Sequence, residues 1–376
     1  MEKLEMKNNQ VKKMKNEVLN RAIVAALAIM VFSSCDKGGS SFSVLSDNSN
    51  FQQSAVYVPR KLDVLFVIDN SGSMSTSQTN LANNFPSFIN RFITKGYDFK
   101  LAITTTDAFY GDQFLANGCS LCNVNQTRFR SGVMPNPVYV ISSQNYDLGL
   151  QSERDRLTSE FSLNVKVGIS GSGDERALSS FKAALNSPLN TGFHRSDAYL
   201  AIVIVSDEED FSQNNYAMNE SYTNPALHPV VNYKTFLDTF TGGLPTQDYS
   251  VSTISILDNT CLAALGAGRK IGQRYMQLAD MTGGTKNSLC APFNSTLDNI
   301  SSTIEGQVQP VFQLNKKPVI SSIRVIVDGI MVPQDTTHTN GWDYDATKNQ
   351  ITIYGSTYKP QNGSNVAINF DPDLNQ

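Results

Sequence analysis

The sequence predicts an α/β fold, a doubly wound, mostly parallel and Rossmann-like sheet, followed by a small C-terminal all-β module. Three observations carry this. Two near-continuous apolar runs, Val64–Ile68 and Tyr199–Ser206, have the unbroken hydrophobicity of strands buried on both faces. Across residues 61–308 such runs alternate with segments of helical periodicity, the pattern of a parallel sheet with crossover helices. After Gln309-Pro310 the style changes to short alternating strands broken by turn residues. A chain of 376 residues is long enough for one good-sized domain and such an appendage.

Residues 1–35 read as an export leader. Lys12, Lys13, Lys15 and Arg21 precede an apolar stretch, Ala22–Phe32, and then the small residues of Ser33-Ser34-Cys35. The stretch is short for a membrane-spanning helix. Small residues before a lone cysteine resemble a bacterial lipobox, which implies lipidation of Cys35 and attachment to a membrane of the cell envelope. Phe32 stands where that signal usually has Leu, and an ordinary signal peptide or an uncleaved anchor is the alternative; either Met1 or Met14 can be the start. All versions place the protein outside the cytoplasm. Residues 36–60, rich in Ser, Asn, Gln and Gly, read as a flexible tether. Of five cysteines, Cys35 leaves an even four, and export favours disulfides. The expected pairs are Cys119–Cys122 and Cys261–Cys290; zinc is the poorer reading, because His194 and His228 are remote in sequence.

The main domain spans 61–308. Its first strand is followed by a helix with Leu81, Phe85, Phe88, Ile89 and Phe92 at helical spacing, in which Pro86 calls for a kink or a late start. Phe99–Ile103 is the second strand and leads to Asp107, which is either close to a bound ligand or a turn cap. The connection over 108–150 is long enough to be functional, as part of a partner-binding rim. Glu153–Phe161 is helical, as is the segment marked by Leu178, Phe181 and Leu185. A helix near Tyr233–Phe240, a strand at Val251–Ile256, a helix through Tyr275 and Leu278 ended by Gly283, an edge strand at Leu289–Ala291 and a helix through Leu297, Ile300 and Ile304 complete it. In the module of 309–376, Asp328-Gly329 marks a hairpin, and Trp342 is expected as a core plug rather than a binding aromatic.

The chemistry sits at two strand ends. Val64–Ile68 runs directly into Asp69-Asn70-Ser71-Gly72-Ser73, which presents one carboxylate and two hydroxyls; Tyr199–Ser206 ends in Asp207-Glu208-Glu209-Asp210. Ligands of open α/β sheets bind outside the carboxyl ends of strands, and a hard cation such as Mg²⁺ takes oxygen donors. On these residues the chain resembles the von Willebrand factor A (VWA) family over roughly Lys61–Gly306. Asp69, Ser71 and Ser73 match the first loop, and Asp207 the third, of that family's metal-ion-dependent adhesion site. The resemblance implies Mg²⁺ (or Mn²⁺ or Ca²⁺) bound directly by Ser71 and Ser73, with Asp69 and Asp207 acting through waters. It also implies a protein partner whose Asp or Glu carboxylate completes the shell. The family places a Thr in the middle loop, where this chain reads Gly168-Ile169-Ser170-Gly171-Ser172-Gly173-Asp174-Glu175-Arg176-Ala177-Leu178. Counting back from Leu178 puts Asp174 in the Thr slot, with Ser172 and Glu175 as competitors. A carboxylate there would hold the cation more tightly and attract an acidic partner less.

A net charge of −4 gives no footing for nucleic acid. Three histidines, the lack of a His-Glu-x-x-His or P-loop motif, and Ser172 where a nucleophile elbow needs Gly argue against an enzyme. A metal-dependent hydrolase at the Asp207–Asp210 run ranks third, because acidic loops are more often solvated. Ahead of it stand a cation-dependent adhesion or binding module, and then a structural envelope lipoprotein whose metal site is not used.

Overall fold

The structure is a computed structural model describing residues 51–373 apart from 58, 116–118, 120, 121, 124 and 243–247; the leader, Cys35 and the tether to residue 50 lie outside the described residues. The described chain begins in the small module, with β1 (Phe51–Val56). This corrects the reading of 36–60 as tether throughout. The polar Gln52-Gln53-Ser54 conceals a strand because only one of its edges is paired, antiparallel to the last strand of the chain.

The main domain follows. β2 (Lys61–Ile68) leads to α1 (Ser75–Thr94), then β3 (Phe99–Thr105), β4 (Val140–Ser142), α2 (Gln151–Asn164) and α3 (Ala177–Asn186). Next come β5 (Ala198–Val205), α4 (Val230–Phe240), β6 (Tyr249–Ser255), α5 (Asn259–Leu265), α6 (Gln273–Thr282), β7 (Lys286–Ser288) and α7 (Phe293–Gln307). The sheet order is β4-β3-β2-β5-β6-β7, all parallel except β4 against β3. The edge strand lies three residues before the expected Leu289–Ala291, which is turn instead.

Alternation along each central strand divides the core. Val64, Phe66 and Ile68 of β2 join Tyr199, Ala201 and Val203 of β5 against α1, α2 and α7. Leu65 and Val67 join Leu200, Ile202 and Ile204 against α3, α4 and α6. Burial on both faces is the reason these strands read as unbroken apolar runs. Asp63 is the exception on β2. Its buried carboxylate accepts from Arg195 Nε and Nη2 at 3.0 and 2.8 Å and from the Arg195 backbone N–H at 2.7 Å.

α1 runs through Pro86 without stopping. A proline cannot donate to the carbonyl four residues back. Here that carbonyl, on Ala82, accepts instead from Ser162 Oγ on α2 at 3.3 Å, so a neighbouring helix supplies the missing donor. Both expected disulfides form. Among the described residues no helix is long and apolar enough to cross a membrane.

The β module consists of β8 (Val311–Gln313), β9 (Arg324–Val327), β10 (Ile330–Val332), β11 (Gly341–Asp345), β12 (Gln350–Tyr354) and β13 (Asn365–Phe370) together with β1, in sheets ordered β1-β13-β9-β10 and β11-β12-β8. The β9–β10 hairpin turns at Asp328-Gly329, both at positive φ (49° and 83°), as this two-residue turn requires. Trp342 is buried and donates from Nε1 to the Val332 carbonyl at 3.0 Å, the part of a core plug. Because β1 precedes the main domain and β8–β13 follow it, two chain crossings join module and domain. Residues of both line one cleft of about 300 Å³, among them Tyr57, Pro59, Arg60, Gln309 and Pro310.

Candidate metal centre

The strand order reverses direction at β2: the chain moves from β2 to β3 on one side and later to β5 on the other. The carboxyl ends of β2 and β5 therefore form the crevice where ligands of such sheets bind. Asp69, Ser71, Ser73 and Asp207 meet there. Asp69 Oδ1 accepts from the Ser71 backbone N–H at 2.8 Å, and Oδ2 accepts from Ser206 Oγ at 2.7 Å. The Ser71 and Ser73 hydroxyls are 3.2 Å apart, and Ser73 Oγ donates to Asp207 Oδ1 at 2.9 Å. Burial, reinforced by the Asp207 charge, outweighs these hydrogen bonds and pushes the Asp69 carboxyl up to about 6.

The middle loop is fastened to the first. Gln78 on α1 donates to the carbonyls of Asp69 and Gly168 at 3.1 and 2.8 Å. The Gly171 N–H donates to the Asn70 carbonyl at 2.7 Å, and a Cβ on Gly171 would come within 2.4 Å of the Asn70 side chain, so the close approach requires glycine. Asp107 ties the loops together, accepting from Asn70 Nδ2 at 3.1 Å and from the Ser172 N–H at 3.2 Å. It supports the site loops rather than capping its own turn.

The three middle-loop candidates have different surroundings. Ser172 Oγ accepts from Tyr110 Oη at 3.1 Å and from the Asp174 N–H at 3.0 Å. Asp174 pairs through Oδ2 with Arg176, at 3.1 Å to Nε and 2.5 Å to Nη2. Arg176 is itself fully buried over the Phe109 and Phe114 rings and donates to the carbonyls of Gln213 and Asn215. Glu175 is fully buried, and neither of its oxygens has a hydrogen-bond partner. The Thr106 hydroxyl, which donates to Asn70 Oδ1 at 3.2 Å, also lies close enough to Glu175 to offset its burial in part. Burial, and after it the charge of Asp69, raises the Glu175 carboxyl well above the usual carboxylate range. A buried carboxylate with no donor is costly. Asp174 Oδ1 is also buried without a partner; Glu175 differs in having both oxygens unmatched and in lying within reach of the Asp69 charge.

The acidic run is not a solvated loop, contrary to the expectation that placed it there. Asp207, Glu208, Glu209 and Asp210 are all buried. Asp210 Oδ1 accepts from the Leu178 N–H at 2.9 Å, capping α3 from a distant loop. Burial pushes Glu208 up to about 7 and Glu209 to about 8. The cations beside the run come from Arg269, Lys270 and Arg274, none of which stood out in the sequence. Arg269 Nε is 2.7 Å from Asp207 Oδ2, Lys270 Nζ 3.6 Å from Glu208, and Arg274 Nε 3.1 Å from Asp210.

Among the described residues no three His, Cys, Asp or Glu side chains converge closely enough to hold a metal by themselves. Any cation here depends on the serine hydroxyls as well. The donor set is all oxygen, which suits Mg²⁺, Mn²⁺ or Ca²⁺ and not a thiophilic metal. With Glu175 as an unmatched anionic donor, the residues fit such an ion.

No family model and no curated protein matches this chain. Solved structures with some similarity include the pilus adhesin SpaC from Lactobacillus rhamnosus GG in an open conformation, at 11% identity and TM-score 0.36, covering 85% of this chain and 40% of that one. A von Willebrand factor type A protein from Catenulispora acidiphila is similar at 11% identity and TM-score 0.34, covering 86% and 65%. The pilus adhesin RrgA from Streptococcus pneumoniae is similar at 10% identity and TM-score 0.29, covering 87% and 59%. The chain thus spans less than two thirds of the length of each. The superpositions are loose; the α/β architecture rests on the strand order and register given above.

Proposed function

We propose that this protein is an exported, divalent-cation-dependent binding module of the bacterial envelope, held at a membrane through Cys35 and engaging a protein partner. Ser71 and Ser73 offer hydroxyls to the ion, with Asp69, Asp207 and Glu175 supplying negative charge. The ion, Mg²⁺ or a close relative, would provide a Lewis-acidic point for an anionic oxygen of the partner, an Asp or Glu carboxylate above all. The observation that carries this reading is Glu175, a wholly buried carboxylate without a donor beside the Asp69–Ser71–Ser73 loop. A structural side chain in that position would be expected to have a partner.

Calorimetric titration of the purified protein with Mg²⁺, Mn²⁺ and Ca²⁺ tests it, beside Asp69→Ala, Glu175→Gln and Asp174→Asn. Saturable binding lost in Asp69→Ala and weakened in Glu175→Gln supports the site as drawn. Weakening in Asp174→Asn but not in Glu175→Gln would return the middle-loop role to Asp174. No binding by the unaltered protein would leave the second reading, a metal-independent envelope scaffold. One observation favours that reading: the acidic run already has basic partners within the chain.

A further inference from the structure

Those basic partners share one origin. Residues 269–274, the end of the connection after α5 and the first residues of α6, bring a cation to three of the four acidic residues after β5. The segment is also joined to that loop through the backbone, the Lys270 N–H donating to the Asp207 carbonyl at 3.1 Å. Arg269 is held from both sides. Nε reaches Asp207 Oδ2 at 2.7 Å, and Nη1 donates to the Leu265 carbonyl, the last residue of α5, at 2.7 Å. Gly266 and Gly268 just before it have φ of 92° and 84°, where a residue with a side chain would be strained. α5 itself is stapled to the segment after β7 by Cys261–Cys290. The guanidinium is therefore fixed on the carboxylate that also takes the Ser73 hydroxyl.

Asp207 divides its two oxygens between Ser73 and Arg269. Resting on the reading of the site as a cation centre, we propose that Arg269 is a positioning residue that acts as the site's internal counter-cation. It competes electrostatically with the divalent ion for Asp207, and so sets how much free cation is needed to load the centre.

Calorimetry with Mg²⁺ on the purified protein, Arg269→Gln, Arg269→Lys and Asp69→Ala tests this. Arg269→Gln is expected to bind Mg²⁺ about tenfold more tightly, because like-charge repulsion is removed. Arg269→Lys, which keeps the charge, is expected to stay within about threefold of the parent. Binding by Arg269→Gln where the parent shows none would support the proposal more strongly still. A support role alone predicts the opposite sign, since losing a group that orients a ligand usually weakens metal affinity about 10- to 100-fold. Unchanged or weaker binding in Arg269→Gln, with Asp69→Ala still abolishing it, overturns the counter-cation and leaves the cation centre standing. No binding by any folded form overturns both.

Discussion

Replacing Glu175 with Gln separates a vacant ligand from a structural carboxylate, because the two predict opposite changes in chelator. In the parent, both Glu175 oxygens are buried without a donor, next to the Asp69 carboxylate. An unsatisfied buried polar group costs about 1–3 kcal/mol. An amide of the same shape cannot ionise and can donate to the carboxylates around it. In EDTA the variant is therefore expected to be more stable by about 1–3 kcal/mol, and at roughly 2–4 °C per kcal/mol for a domain of this size the melting temperature should rise measurably. Cation reverses the order of gains. At a concentration of Mg²⁺ a hundred times the parent's Kd, the parent gains about 2.7 kcal/mol; a variant binding about tenfold more weakly gains about 1.4 kcal/mol. Differential scanning fluorimetry with EDTA and with a Mg²⁺ series reads both numbers. A variant that melts below the parent in EDTA, or gains as much as the parent from Mg²⁺, refutes the reasoning.

Three further outcomes are expected. Burial lowers the Lys359 ammonium to about 8. The folded state then carries fewer protons than the unfolded one between pH 8 and the ordinary lysine range, so stability due to this group rises with pH there, by roughly 3 kcal/mol at most. The difference in urea midpoint between the protein and Lys359→Met should shrink toward zero from pH 8 to 10, and a constant difference would count against the burial argument. Replacing Cys261 and Cys290 by Ser opens a loop with a sequence separation of 29 residues, which should cost about 3–4 kcal/mol in chemical denaturation; a loss under 1 kcal/mol would mean the reduced chain is already constrained. Asp63→Ala removes one of the two carboxylates paired with Arg195, which is 16% exposed and keeps Asp98 and the carbonyls of Leu62 and Asp98. Loss of hydrogen bonds to a charged group costs about 1.5–3 kcal/mol, and an unchanged unfolding midpoint would show that the remaining acceptors suffice.

The parts of this molecule legible in the sequence are those whose physics is local or periodic. β2 and β5 stand out because burial on both faces leaves no polar position to interrupt them, Asp63 excepted, and the Asp69–Ser73 loop is legible because its donors lie within five residues. The Asp328-Gly329 hairpin announces itself through the backbone conformation it needs. What stayed hidden depends on partners far along the chain. Asp174 and Glu175 are adjacent acids in a loop without periodicity, and it is buried Arg176, folded against Phe109 and Phe114, that pairs with one oxygen of Asp174 while both of Glu175 stay unpaired. The Asp207–Asp210 run looked like a solvent face because its cations lie some sixty residues later. Lys and Arg by default belong to solvent, so nothing in the composition of residues 269–274 pairs them with a strand end. β1 was missed for a related reason, since a strand paired along one edge does not need apolar residues.

The two crossings between β module and α/β domain bear on where the centre lies. β2 begins at Lys61, beside the crossings, and ends at Ile68, beside the centre. At about 3.3 Å per residue, its eight residues place the centre roughly 25 Å from the module, at the far end of the sheet. A domain on one linker swivels about it, and relative motion is then the default. Here the two crossings are reinforced by side-chain contacts, Lys95 Nζ to Gln361 Oε1 and Lys359 Nζ to the Glu305 carbonyl, so the module is tied to the domain at more than its linkers. The β module is thus braced against the base of the α/β domain, and the carboxyl ends of β2 and β5 lie at the end of the sheet away from it.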